Sequence, residues 1–119
     1  MSLSLTPKKL AAVYDCLRQF EPFSTWHLPT STRVKFIVAK TQDYRGLYFR
    51  APYTKRYEIS VSAARHGHLS GVVCTMAHEM VHLYQDITRT DTRNAAHNRA
   101  FREIGKRLSH RFGFDPGDF

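Results

Sequence analysis

The sequence predicts a small α+β fold: an N-terminal helix, a three-stranded antiparallel sheet, then a long helix and a C-terminal helix. Three observations carry this. Apolar residues recur at helical spacing near the start of the chain, alternate in three short runs between Arg33 and Val61, and return to helical spacing from Val73 onward. The 119 residues suit one domain, spanning 1–119, with enough chain to bury a core without staples. At 42% hydrophobic and 24% charged residues, the composition is that of a globular chain and excludes disorder as the default.

The elements follow in order. Thr6 is expected to cap a helix that starts at Pro7, with Leu10, Val13, Leu17 and Phe20 on its core face and Glu21-Pro22 as its stop. PFSTWHLPTST is rich in turn formers and reads as a loop with aromatic anchors. Val34, Phe36 and Val38 then alternate with Lys35 and Ile37; GLYFR, from Gly46, forms a second extended run ending at Pro52; and Tyr57 to Val61 alternate again. The links between these runs are too short for crossover helices, so antiparallel pairing is expected. ARHGHLSG is a loop, with Ser70 as the cap of a helix carrying Val73, Met76, Ala77, Met80 and Leu83 or Tyr84 on its apolar side. The polar stretch ITRTDTRNAA reverses the chain, and a last helix begins at His97 with Phe101, Ile104, Leu108 and Phe112 as its stripe.

Cys16 and Cys74 sit in apolar helical patterns without CxxC spacing, and are expected to be buried free thiols of a reducing compartment. The N-terminus lacks a basic segment followed by a sustained apolar one, and no apolar window reaches membrane-spanning length. A monomeric, cytoplasmic protein without a membrane partner is expected, from a bacterium or a phage-infected cell. The 18 Lys and Arg against 10 Asp and Glu give a formal charge of +8, which favours a polyanionic partner.

Chemistry concentrates in MAHEMVHLYQ, residues 76 to 85. On a helix rising about 1.5 Å per residue, His78 and His82 lie one turn apart, close enough to bind one metal ion. Glu79, rotated by about 100°, can reach a water on that ion without becoming a ligand. By itself HEMVH fits a zinc centre and a surface helix with two solvated histidines equally well. A centre needs a third protein ligand. Cys74 and Asp86 share the histidine stripe but each lies about 12 Å along the axis from the farther histidine. His66 and His68 precede the helix, His27 is in the early loop, and His110 is late in the last helix. His97 lies beyond the reversing loop, four residues before Phe101 on the apolar stripe, where it is expected to face the preceding helix. It reads either as the third ligand or as a hydrogen-bonded core or capping histidine.

HEMVH followed by HNRAF resembles the SprT-like zinc metallopeptidase family, whose pattern is HExxH and then HGxxF or HGxxW. The resemblance covers the second half of the chain. It implies a minimal zincin-like domain, one Zn²⁺ per chain held by His78, His82 and His97, and Glu79 as catalytic acid/base. Asn98 stands where the family usually has glycine, and no cysteine-rich zinc ribbon or long DNA-binding tail follows in these residues. The implied reaction is peptide-bond hydrolysis, with an open metal position for water and Glu79 moving its proton.

Tyr48, Tyr53 and Tyr84 are candidates to stabilise the oxyanion, none of them singled out, and YEISVS is the nearest strand along which a peptide substrate could lie. Arg99, Arg102, Lys106, Arg107 and Arg111 give the last helix a basic side. That side suits sequence-independent DNA binding, and equally a solvated helix face. The leading expectation is therefore a zinc endopeptidase acting on DNA-associated or DNA-crosslinked proteins. The alternatives are a nucleic-acid-binding or interaction domain with a structural zinc, and a regulatory protease that cleaves a repressor.

Overall fold

The computed structural model describes residues 4–92, 97–115, 117 and 119. Helix α1 spans Pro7–Leu17, strand β1 Val34–Ala39, β2 Gly46–Arg50 and β3 Tyr57–Ser62, followed by helices α2, Leu69–Thr88, and α3, Arg99–Phe112. The α+β layout expected from the periodicities is present, with short 3₁₀ turns at Phe23–Thr25, Ser31–Arg33 and Ala63–Arg65.

The cap on α1 is as expected: the Thr6 hydroxyl accepts from the Lys9 N–H, and Pro7 occupies the first helical position, where its missing N–H costs nothing. The helix ends four residues before Glu21, however. Its buried stripe is Leu10, Tyr14 and Leu17, while Phe20 lies beyond it, about half exposed against Phe112. Tyr14 carries the stripe because its ring meets Phe36 edge-on and its hydroxyl reaches the Pro29 carbonyl at 2.6 Å. Cys16 falls on the opposite side of that helix and is exposed, contrary to the expected burial; Cys74 is buried.

The sheet is mixed, not wholly antiparallel. Its order is β1-β3-β2, with β1 parallel to β3 and β2 antiparallel to β3. No crossover helix is needed because β2 itself occupies the connection. The 40–45 link must shift the chain by two strand spacings of about 4.8 Å, well within the roughly 20 Å that six residues can span. The link crosses one sheet face, where Thr41 O accepts from the Ser62 hydroxyl and the Tyr44 and Ser60 hydroxyls meet at 3.2 Å. Short-range pattern does not distinguish this route from a meander.

Helices cover the other face. In register, Phe36 lies beside Ile59, Val38 beside Val61, and Tyr48 beside Ile59 from the far side. Against this layer pack Leu10, Tyr14 and Leu17 of α1 and Val72, Met76, Met80 and Leu83 of α2. Met76, Met80 and Leu83 are fully buried; each such side chain contributes about 1.5–3 kcal/mol by leaving water. Phe101 and Leu108 attach α3 to the outer side of α2.

Two helix starts differ from expectation. His68, in extended conformation and without a side-chain cap bond, precedes α2, so Ser70 falls inside the first turn. Asn98 caps α3, leaving His97 in a turn before the helix, where it is exposed rather than facing away from water. Ile87 and Thr88 of the expected reversing loop are the end of α2, which Arg89 closes at a left-handed φ of 56°; residues 93–96 of that loop lie outside the described residues. No helix among the described residues is long and apolar enough to cross a membrane.

Candidate metal centre

Helical periodicity buries one side of α2 against the sheet and turns His78 and His82 to its flank, one turn apart. His97 arrives there from the turn before α3. The Nε2 atoms of His78 and His97 are 3.1 Å apart, and those of His78 and His82 are 3.3 Å apart. A tetrahedral ion with Zn–N bonds of about 2.0–2.1 Å separates its ligands by roughly 3.3 Å, which these two spacings match, and all three ligand atoms lie within 4.8 Å of one another. Among the described residues the group contains these three histidines and no cysteine or carboxylate.

The proton positions fit as well. His78 Nδ1 lies 2.7 Å from the Phe119 carbonyl oxygen, which can only accept; the Nδ1 must therefore carry the proton and Nε2 a lone pair. Burial, outweighing the Phe119 contact, pulls the His78 pKa down to about 4; burial and the neighbouring histidines do the same for His82. Both are neutral donors at pH 7. Beneath them Phe101 forms an apolar floor: its ring stacks on His82 and on His97 with centroids 4.5 Å away in each case. The residue expected only as part of the α3 stripe thus orients two imidazoles.

Glu79 lies behind the histidines, 5% exposed. Burial pushes its carboxyl up to about 8, opposed by a hydrogen bond from the Tyr48 backbone N–H. Strand β2 reaches it because Gly46 has no side chain: a Cβ there would stand 2.5 Å from Thr75 Cγ2 and 2.9 Å from Glu79 Oε2. Gly46 to Arg50, His78, Glu79, His82, Asp86, Asp91, Thr92 and His97 surround a cavity of about 570 Å³. Asp86 is no ligand; it accepts from the Tyr48 hydroxyl at 2.5 Å. Burial and then Asp86 raise the Tyr48 pKa far above the ordinary phenol value, so it remains a protonated donor in the cavity. Of the other tyrosines considered, Tyr53 is 96% exposed and Tyr84 stacks on Trp26.

Of the other histidines, buried His66 is engaged elsewhere, its two nitrogens meeting Ser62 O and the Thr75 hydroxyl. The five basic residues lie exposed on α3, off the buried stripe of Phe101, Gly105 and Leu108. Arg102 donates to His97 O at 2.8 Å, Lys106 approaches Glu103, and Arg111 approaches Glu21. YEISVS is the central strand, paired on both sides, and cannot receive a further chain; β2 is the strand that borders the cavity. Gly46, Gln85 and Phe119 are not marked from sequence as neighbours of the centre, and only the glycine opening GLYFR offers a local signal; Tyr48 is one of the three candidate tyrosines, and the structure alone separates it from the other two.

The chain matches no protein-family model, no curated protein and no solved structure. The resemblance to SprT-like enzymes rests on HEMVH and HNRAF themselves.

Proposed function

We propose that this chain is a zinc-dependent endopeptidase of the SprT-like type. The observation that carries the reading is the convergence of three histidine Nε2 atoms beside a buried glutamate, with β2 bordering the same cavity. His78, His82 and His97 would hold the zinc, which when bound supplies a Lewis acid to polarise the scissile carbonyl and to acidify water. Burial keeps the Glu79 carboxyl protonated near pH 7 while no cation is beside it. A cation held by the three histidines would favour the carboxylate, and Glu79, held by the Tyr48 N–H, would then take a proton from the attacking water and return it to the leaving amine. β2 is an outer strand in the order β1-β3-β2, which supports a substrate chain extended along β2 in place of the expected YEISVS. Three imidazoles without a cysteine favour an open catalytic site over a closed structural one.

The exposed basic side of α3 supports a DNA-associated protein as substrate, because Arg102 and Lys106 line a cavity with His97 and so lie beside the centre. Glu79→Gln is expected to keep zinc, measured by metal analysis, and to lower cleavage of a DNA-bound protein by about 10²–10⁴-fold; equal activity in both forms refutes the catalytic role. DNA affinity is expected to fall steeply with added salt. Absence of binding at low salt removes the nucleic-acid part and leaves the hydrolase.

A further inference from the structure

We infer that Gln85 is a positioning residue: acting through Asn98, its carboxamide sets where the third imidazole stands. This rests on the metal centre proposed above, and it goes beyond the HEMVH and HNRAF pattern, in which Gln85 has no role. His97 lies in an exposed turn and has no helix of its own to place it. The next residue is tied down three times. Asn98 Oδ1 accepts from the Phe101 N–H at 2.9 Å and from Gln85 Nε2 at 3.0 Å, while Asn98 Nδ2 donates to Thr90 O at 2.8 Å.

Gln85 is three residues beyond His82 on α2 and fully buried. One carboxamide bond therefore joins the helix that carries two ligands to the residue after the third. Glycine, which the resemblance places at position 98, could make none of these three side-chain bonds. The cap alone does not explain Gln85, because a serine would cap α3 equally well.

The second observation is the other end of the Gln85 side chain. Its Oε1 is buried without a hydrogen-bond partner among the described residues. A buried carbonyl left unmatched opposes folding, so on stability alone methionine suits this position better than glutamine. A structural role and a positioning role thus predict opposite results for one substitution.

The test uses Gln85→Met and Asn98→Ser in the full chain. Metal-free protein is titrated with Co²⁺, followed by its visible absorption, and then with Zn²⁺ in competition; thermal unfolding of the metal-free form is measured alongside. Gln85→Met is expected to unfold at the same temperature or higher, yet to bind metal about 10–100-fold more weakly with an altered cobalt spectrum. Asn98→Ser, which keeps the cap, is expected to lose affinity similarly, and the double variant to lose no more than either single one. Wild-type affinity and spectrum in Gln85→Met overturn the positioning role while leaving the metal centre standing. So does a loss of affinity that merely follows a lowered unfolding temperature. Failure of the wild type to take up either metal overturns the centre and the positioning role together.

Discussion

His78 and His82 ride one continuous helix packed on the core, whereas His97 stands exposed in a turn and is held by polar side chains. The first pair is placed by periodicity and burial: whatever keeps α2 seated on the sheet keeps these imidazoles one turn apart. The third is placed by directional bonds from Asn98 and Arg102 and by stacking on Phe101. The two halves should therefore fail differently, one through packing and the other through hydrogen bonding.

The largest effect should come from beneath the helical half. Met80, fully buried between the two histidine positions, leaves a cavity when truncated, and Met80→Ala should cost about 2–5 kcal/mol in chemical denaturation. A value below that range would mean that α2 is seated less by packing than the burial implies. Gly46→Ala comes next. The added methyl meets Thr75 and Glu79 at distances that force β2 and α2 apart, at about 1–3 kcal/mol of stability. It should also weaken the Tyr48 N–H contact to Glu79, read as lost hydrolysis with metal affinity kept. Loss of metal with activity per bound metal unchanged would place the damage on the wrong half.

The smallest effect lies far from both halves and serves as a control. Burial raises the Asp15 pKa, but the Ser31 hydroxyl and Arg18 outweigh it and leave the carboxyl below its ordinary value. A depressed carboxylate adds stability that is present above its unfolded pKa and lost as pH falls through the folded one. Asp15 is mostly solvated, so the contribution should be about 0.5 kcal/mol or less. The gap in unfolding temperature between wild type and Asp15→Asn should close as pH is lowered below 4. A gap that persists at low pH would show that charge is not its origin.

How far the molecule was legible from its sequence follows the same division. HEMVH could be read because i and i+4 share a face on any helix, and the α1 cap because Thr6-Pro7 is a local signal. His97 could be singled out from its position after a polar reversal and four residues before Phe101. Its exposure could not, because Asn98 captured the cap and began α3 two residues later than the apolar stripe suggested. The Gln85–Asn98 bond, the Phe119 carbonyl on His78 and the approach of Gly46 to Thr75 join residues from separate elements. Side-chain period carries no trace of such contacts. The same holds for strand order: alternation marks a strand and its faces but not its neighbour, so the parallel β1–β3 pair was read as antiparallel.

That strand order also bears on time. β2 and α2 border the cavity, and β2, β3 and α2 are successive strands and α-helix of the chain from Gly46 to Thr88, whereas β1 must pair with β3 past the sequence of β2. Closing the shorter loop costs less chain entropy, so the β2–β3 hairpin under α2 is expected to form early and β1 to dock afterwards. Ile59→Val should then slow refolding, while Val34→Ala should chiefly speed unfolding, a contrast that stopped-flow chevrons would expose or contradict. On this order the Glu79 wall of the cleft exists before the chain has delivered His97, and a metal ion held by all three histidines would be captured only at the close of folding.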